Sequence, residues 1–112
     1  MSWDAQLTTE CCGSDRGEWG YTGNTSGIVN LALATAGYPS DQTWWKRISG
    51  LTGKDAAVLL AAAVNEIQSN RSTYEAMNPE NGWGDTAGIL AQLRSMLDAC
   101  SIDTPTRWTI HG

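Results

Sequence analysis

Phenylalanine is absent from this chain of 112 residues, histidine occurs once, and proline and cysteine occur three times each. Each shortage removes a class of chemistry. The single histidine, His111, stands next to the last residue with no orienting acid identifiable beside it, so a nucleophile–base pair built on imidazole has no support. Cys11, Cys12 and Cys100 are odd in number and contain no Cys-x-x-Cys pair. Neither a disulfide framework nor a zinc site completed by His111 is therefore expected, and no cofactor is implied. Cationic side chains are also few: 7 Lys and Arg stand against 12 Asp and Glu, giving a net charge of -5. A surface of that sign repels phosphate backbones, which argues against direct nucleic-acid binding. The longest apolar run, 56–64, is too short to span a bilayer, so no membrane partner is expected. The opening Met1-Ser2-Trp3-Asp4 has neither the basic nor the apolar region of an export signal, and a cytoplasmic protein with reduced thiols is the expectation.

In place of phenylalanine the chain carries 6 Trp and 3 Tyr. Nearly every aromatic thus has a polar handle, suited to half-buried positions at edges, clefts and interfaces. The length is near the mode for one domain, and residues 1–112 read as a single globular unit.

Apolar and polar residues alternate from Ser2 to Thr9 through Trp3, Ala5 and Leu7, and again from Thr106 to His111 through Trp108 and Ile110. That is the period of half-buried strands. Two lone strands at opposite ends are stable only when paired, so an antiparallel pairing of the termini is expected. The Gly-rich stretch from Glu10 to Asn24 shows no sustained period and reads as a long loop. A helix follows from Thr25 to Ala36, with Asn24 or Thr25 as cap, Ile28, Leu31, Ala32 and Thr35 on one side, and Gly37 as the stop. Ser40 reads as the cap of a short helix through Ile48, in which Trp44 and Trp45 cannot share one face. Thr52-Gly53-Lys54-Asp55 is a capping box opening a strong helix to Ile67, whose small-sided stripe suits close packing against a helix starting at Thr86. A short turn from Ser69 to Met77 stops at Asn78-Pro79. Ile89, Leu90, Leu93, Met96, Leu97 and Cys100 mark the last helix as amphipathic, with Asp85 at its N-cap. The expected class is mainly α (α+β): a compact bundle of four to five helices with a small antiparallel sheet joining the N- and C-terminal strands.

The functional candidates are aromatic and lie near helix starts. Trp3, Trp108 and one of Trp44 and Trp45 are expected inside, which leaves Trp19, Tyr21 and Trp83 to line a cleft or contact patch, with Asn24 and Asp85 at the adjoining caps. The glycines around Tyr21 and Trp83 match neither a P-loop nor a dinucleotide fingerprint. Both stretches lead into helix N-termini, where free amides can hold an anion, although capping by Asn24, Thr25 and Asp85 explains these residues more simply. The two aromatic loops are expected to meet in space.

Glu18-Trp19-Gly20-Tyr21-Thr22-Gly23-Asn24-Thr25, the Trp44-Trp45 pair, Met77-Asn78-Pro79-Glu80-Asn81-Gly82-Trp83-Gly84 and the closing Trp108-Thr109-Ile110-His111-Gly112 resemble a family of small proteins of actinobacteria and their tailed phages. Thr86 departs from that pattern, which has a bulky residue after the Trp-Gly-Asp step. The family has no known activity. The resemblance implies an accessory protein that touches a host or defence component. Two readings follow: a small acidic non-enzymatic module that binds another protein, or a small-ligand protein holding an anion or nucleotide between the Tyr21 and Trp83 loops.

Overall fold

Strand β1 (Ser2–Thr9) lies at the centre of a three-stranded antiparallel sheet of order β2-β1-β3, flanked by β2 (Asp15–Thr22) and β3 (Thr106–His111). The computed structural model describes residues 2–10, 15–22, 25–78, 84–100 and 105–111, with the backbone alone at Ser2, Asp15, Tyr21 and Thr22. Among the described residues five helices stand between β2 and β3: α1 (Ser26–Thr35), α2 (Trp44–Ile48), α3 (Gly53–Ser69), α4 (Arg71–Glu75) and α5 (Thr86–Ala99). The expected class and the pairing of the two ends are both present. Leu7 faces Trp108 and Ala5 faces Ile110 across the β1–β3 ladder.

Strand β2 is a correction, because it occupies a stretch that reads as loop. Ala5 faces Trp19 and Leu7 faces Gly17 across the β1–β2 ladder, with a register shift between Leu7 and Thr8. Two glycines hide the strand period. Gly17 has φ 147°, and a Cβ there would meet the Trp19 ring at 2.5 Å. The indole thus lies over Gly17 and restores the packing surface that a glycine strand lacks.

One face of the sheet is apolar. Trp3, Ala5, Leu7, Trp108 and Ile110 are buried and belong to one core cluster with residues of all five helices. The other face carries Asp4, Arg16, Glu18, Arg107, Thr109 and His111, in step with the alternation of buried and exposed positions along β3. The far edge of β3 is closed by the α2–α3 connection. Gly50 N–H donates to Trp108 O at 2.8 Å, Trp108 N–H donates to Leu51 O at 2.9 Å, and Ser49 Oγ accepts from Ile110 N–H at 3.0 Å.

The helices follow from their patterns with two adjustments. Helix α3 buries Ala56, Leu60, Ala63, Val64 and Ile67, opens on Thr52 accepting from Asp55 N–H, and packs on both α1 and α5. Helix α1 buries Ile28, Val29, Ala32 and Leu33 and leaves Leu31 42% exposed, a rotation away from the expected stripe. Its packing on α3 and α2 decides the buried face. The helix ends in a Schellman turn, Tyr38 N–H donating to Leu33 O at 2.8 Å and Gly37 N–H to Ala34 O at 3.2 Å. Thr25 stands at the N-cap position without a side-chain cap bond. Helix α2 begins at Trp44 and not after Ser40, whose hydroxyl accepts from Gln42 N–H within a turn. Asn30 of α1 accepts from Trp44 N–H at 2.8 Å, so α2 is capped by another helix. Trp44 is buried and Trp45 half-buried; the Trp44 ring meets Trp3 edge-on, 4.9 Å apart and at 89°.

Trp108 is fully buried opposite Leu7, so Trp108→Ala is expected to cost about 3–5 kcal/mol, read as a shift in denaturant midpoint. Leu33→Ala should cost about 2–5 kcal/mol. Leu31→Ala, at an exposed site, should stay within about 0.5 kcal/mol. Equal losses for the two leucines would return the buried face of α1 to the position its periodicity suggests.

Candidate functional site

The ladder pattern determines which backbone groups of β2 are free. Trp108 uses both its N–H and its C=O on Gly50 and Leu51, away from β1. Leu7 and Trp108 are therefore a non-hydrogen-bonded pair, and the polar groups of Leu7 turn to the other side, toward Gly17. Alternation then assigns Ala5 to Trp19 and Trp3 to Tyr21 as hydrogen-bonded pairs. It follows that the N–H and C=O of Glu18 and Gly20 point away from the sheet, into the open edge. Among the described residues no backbone group pairs with them.

Around this edge the side chains divide by face. On the inner side Trp19 is half-buried, its ring 5.1 Å from that of Trp108, and its indole N–H donates to Ser95 Oγ of α5 at 2.7 Å. On the outer side Asp4, Gln6, Glu18, Thr109 and His111 line a shallow depression of about 230 Å³. The Asp4 carboxylate leans over Gly20: a Cβ at that glycine would stand 2.9 Å from Asp4 Oδ1. Among the described residues the ion pairs are Arg71–Glu75 and Arg107–Glu10, so neither Asp4 nor Glu18 forms one, and His111 stands opposite Asp4 across the β1–β3 ladder.

The expected site residues are not all brought together. Trp19 is on a strand and partly built into the core. Tyr21 faces Trp3 in the ladder, and its side chain lies outside the described atoms, as do Asn24 and Trp83 altogether. Asp85 is the N-cap of α5 and accepts from Gly88 N–H at 2.6 Å. Ser95, which holds the Trp19 indole, is ten residues along α5 from Asp85, about 15 Å of helix axis. Trp19 and Asp85 therefore occupy different parts of the surface. The α5 N-terminus is also engaged: Asn78 Oδ1 accepts from Thr86 N–H at 2.8 Å, beside the Asp85 carboxylate. An anion there would meet one carboxylate and lose two amides already bonded.

Cys100 and His111 stand on opposite faces of the sheet. The Cys100 sulfur accepts from the Trp108 indole N–H at 3.4 Å on the inner side, and His111 is exposed on the outer side. Among the described residues no group of three His, Cys, Asp or Glu gathers as for a metal, and no helix is long and apolar enough to cross a membrane. No family model, curated protein or solved structure matches this chain.

The polar handles of two aromatics instead serve packing. Tyr74 is buried and its hydroxyl donates to Glu66 Oε2 at 2.8 Å. Burial first, and then the Glu66 carboxylate, push the Tyr74 pKa above its ordinary 10.0. Burial likewise raises the Cys100 thiol above 9.0, against the Trp108 N–H that favours the thiolate. Both groups are raised in the folded state, so their contribution is complete below the unfolded values and is lost as pH rises through the folded ones. The melting temperature is therefore expected to fall from about pH 9 upward. Tyr74→Phe and Cys100→Ser, each compared with the parent at neutral pH, should flatten that alkaline limb. An unchanged limb in the double variant would assign the loss to other groups.

Proposed function

We propose that this chain is a small acidic, non-enzymatic module that binds another protein and uses β2 as its recognition element. The observation that carries this reading is the edge of β2, where Glu18 and Gly20 direct their amides and carbonyls outward and pair with no other backbone group among the described residues. An edge strand of this kind is a ready template for a further strand. Trp19 supports the reading in a second way. Its ring is held in place by Trp108 and Ser95, so little further side-chain freedom is lost when a partner covers it. The net charge of -5 gives the surface a sign that favours basic partners. The phage-type setting implied by the resemblance would make that partner a host or defence protein.

The test compares affinity capture from an actinobacterial lysate with a thermal-shift screen against nucleotides, phosphate and small carboxylates. Tyr21→Ser is the variant compared with the parent chain. The expected result is a protein retained by the parent chain and lost by Tyr21→Ser, with the circular dichroism of the two chains superimposed. Capture of no protein, together with a melting temperature raised by a small anion, would overturn the reading in favour of a ligand-binding protein.

A further inference from the structure

We infer that the open edge of β2 takes an extended, basic segment of a partner by strand addition, with a lysine or arginine of that segment crossing Gly20 to reach Asp4. The inference rests on the protein-binding reading above and adds the chemistry of the partner.

An incoming strand would bond to the outward groups of Glu18 and Gly20, and its residues opposite these two positions would share their face of the sheet. That face is the outer one, where neither Asp4 nor Glu18 forms an ion pair with a described residue, although His111 faces Asp4 across the β1–β3 ladder and Arg16 is two residues from Glu18. Gly20 has no side chain to bar the way. The strand spacing between the incoming residue and Gly20 is about 4.8 Å, which a lysine or arginine side chain spans easily. Asp4 already inclines toward that gap, with Oδ1 2.9 Å from where a Cβ of Gly20 would sit. A cation placed over Gly20 therefore meets one carboxylate from Asp4 and a neighbouring one from Glu18. A strand carrying acidic residues at the same positions would meet both head-on.

The register shift beside Leu7 and Thr8 limits the length of the docking strand, because it bends β2 at Arg16 and Gly17. The usable edge is short and centred on Glu18 and Gly20. A second copy of this chain would fit it poorly. In an antiparallel self-pairing centred on Glu18 the two Glu18 carboxylates oppose one another, and any register brings together two chains each of charge -5.

The experiment titrates the isotopically labelled chain with a short, end-blocked peptide of alternating lysine and valine, with a peptide of alternating glutamate and valine as control, and follows the backbone amide signals. The expected result is saturable binding of the lysine peptide with the largest shifts at the Glu18 and Gly20 amides, and binding of the glutamate peptide weaker by about tenfold or more. Glu18→Pro removes one outward N–H at an edge position where proline is tolerated, and should abolish binding while the chain stays folded. Gly20→Thr closes the gap above Asp4, and Asp4→Asn removes its charge. Each should weaken the lysine peptide by about threefold or more and leave the glutamate peptide no weaker than before. These two variants keep the test decisive if Glu18→Pro does not fold. Equal binding of both peptides, shifts centred elsewhere, or Glu18 and Gly20 signals that broaden with protein concentration alone would overturn the inference; the last would assign the edge to a second copy. A protein captured equally well by the parent and by folded Glu18→Pro would refute strand addition and leave the protein-binding reading standing.

Discussion

Everything in this molecule is arranged around the pairing of β1 with β3. Among the described strands β1 is the one paired with another strand on each side, and its inner residues Trp3, Ala5 and Leu7 form the floor on which the helices pack. The pairing closes a chain whose partners stand about a hundred residues apart, a loop whose closure entropy must be met by contacts made together. Leu7 against Trp108 supplies much of that gain, since both are fully buried. The connection from Ser49 to Thr52 depends on the same strand, because Gly50 N–H and Leu51 C=O are satisfied by Trp108, while Ser49 N–H and Leu51 N–H turn back to α2. Losing β3 would free β1 on one side and expose the polar groups of this connection at once.

The choice of tryptophan and tyrosine over phenylalanine has structural consequences throughout. Each buried ring brings an N–H or O–H that must be bonded or left at a cost of about 1–3 kcal/mol. Trp108 finds the Cys100 sulfur, Trp19 finds Ser95 and Tyr74 finds Glu66, which in turn accepts from Asn70 Nδ2 at the start of α4. These bonds fasten β3 and β2 to α5 and α4 to α3 with a specificity that apolar contact alone lacks. Trp44 is the exception. Its Nε1 is buried with no hydrogen-bond partner among the described residues, and its ring is held by the edge contact with Trp3. Thr86 is a further tie, buried at the start of α5 with its hydroxyl within bonding distance of both Tyr74 O and Asn78 Oδ1, to one of which it donates at a time.

The two edges of the sheet are treated differently. The β3 edge is covered by the chain itself, and the β2 edge carries no proline or lysine to discourage pairing. What limits it is geometry, since the bulge and Gly17 leave a short usable length. A short edge that is unpaired among the described residues, beside carboxylates in no described ion pair on one face and a fixed indole on the other, is the basis of the proposed recognition role.

Most of the architecture could be read in the chain because it rests on local regularities. Two-residue alternation marks β1 and β3, and three- and four-residue spacing marks α3 and α5. Thr52 and Asp85 were legible as caps because each bonds an amide three residues away. Where the deciding contact came from elsewhere, the local signal failed. Strand β2 has two glycines in its period and exists because β1 lies beside it and Trp19 covers Gly17. The start of α2 is set by Asn30 of another helix, and the buried face of α1 by its packing on α3 and α2. The candidate site divides along the same line. That Trp19 and Tyr21 belong together followed from their adjacency, whereas the outward direction of the Glu18 and Gly20 amides depended on which neighbour each strand bonds. Composition and periodicity thus determined the helices, the two terminal strands and their pairing, and the acidic surface, since these are sums over local preferences. Tertiary structure alone decided the strand order, and with it the edge left open, because a strand's free side is defined by the partners it lacks.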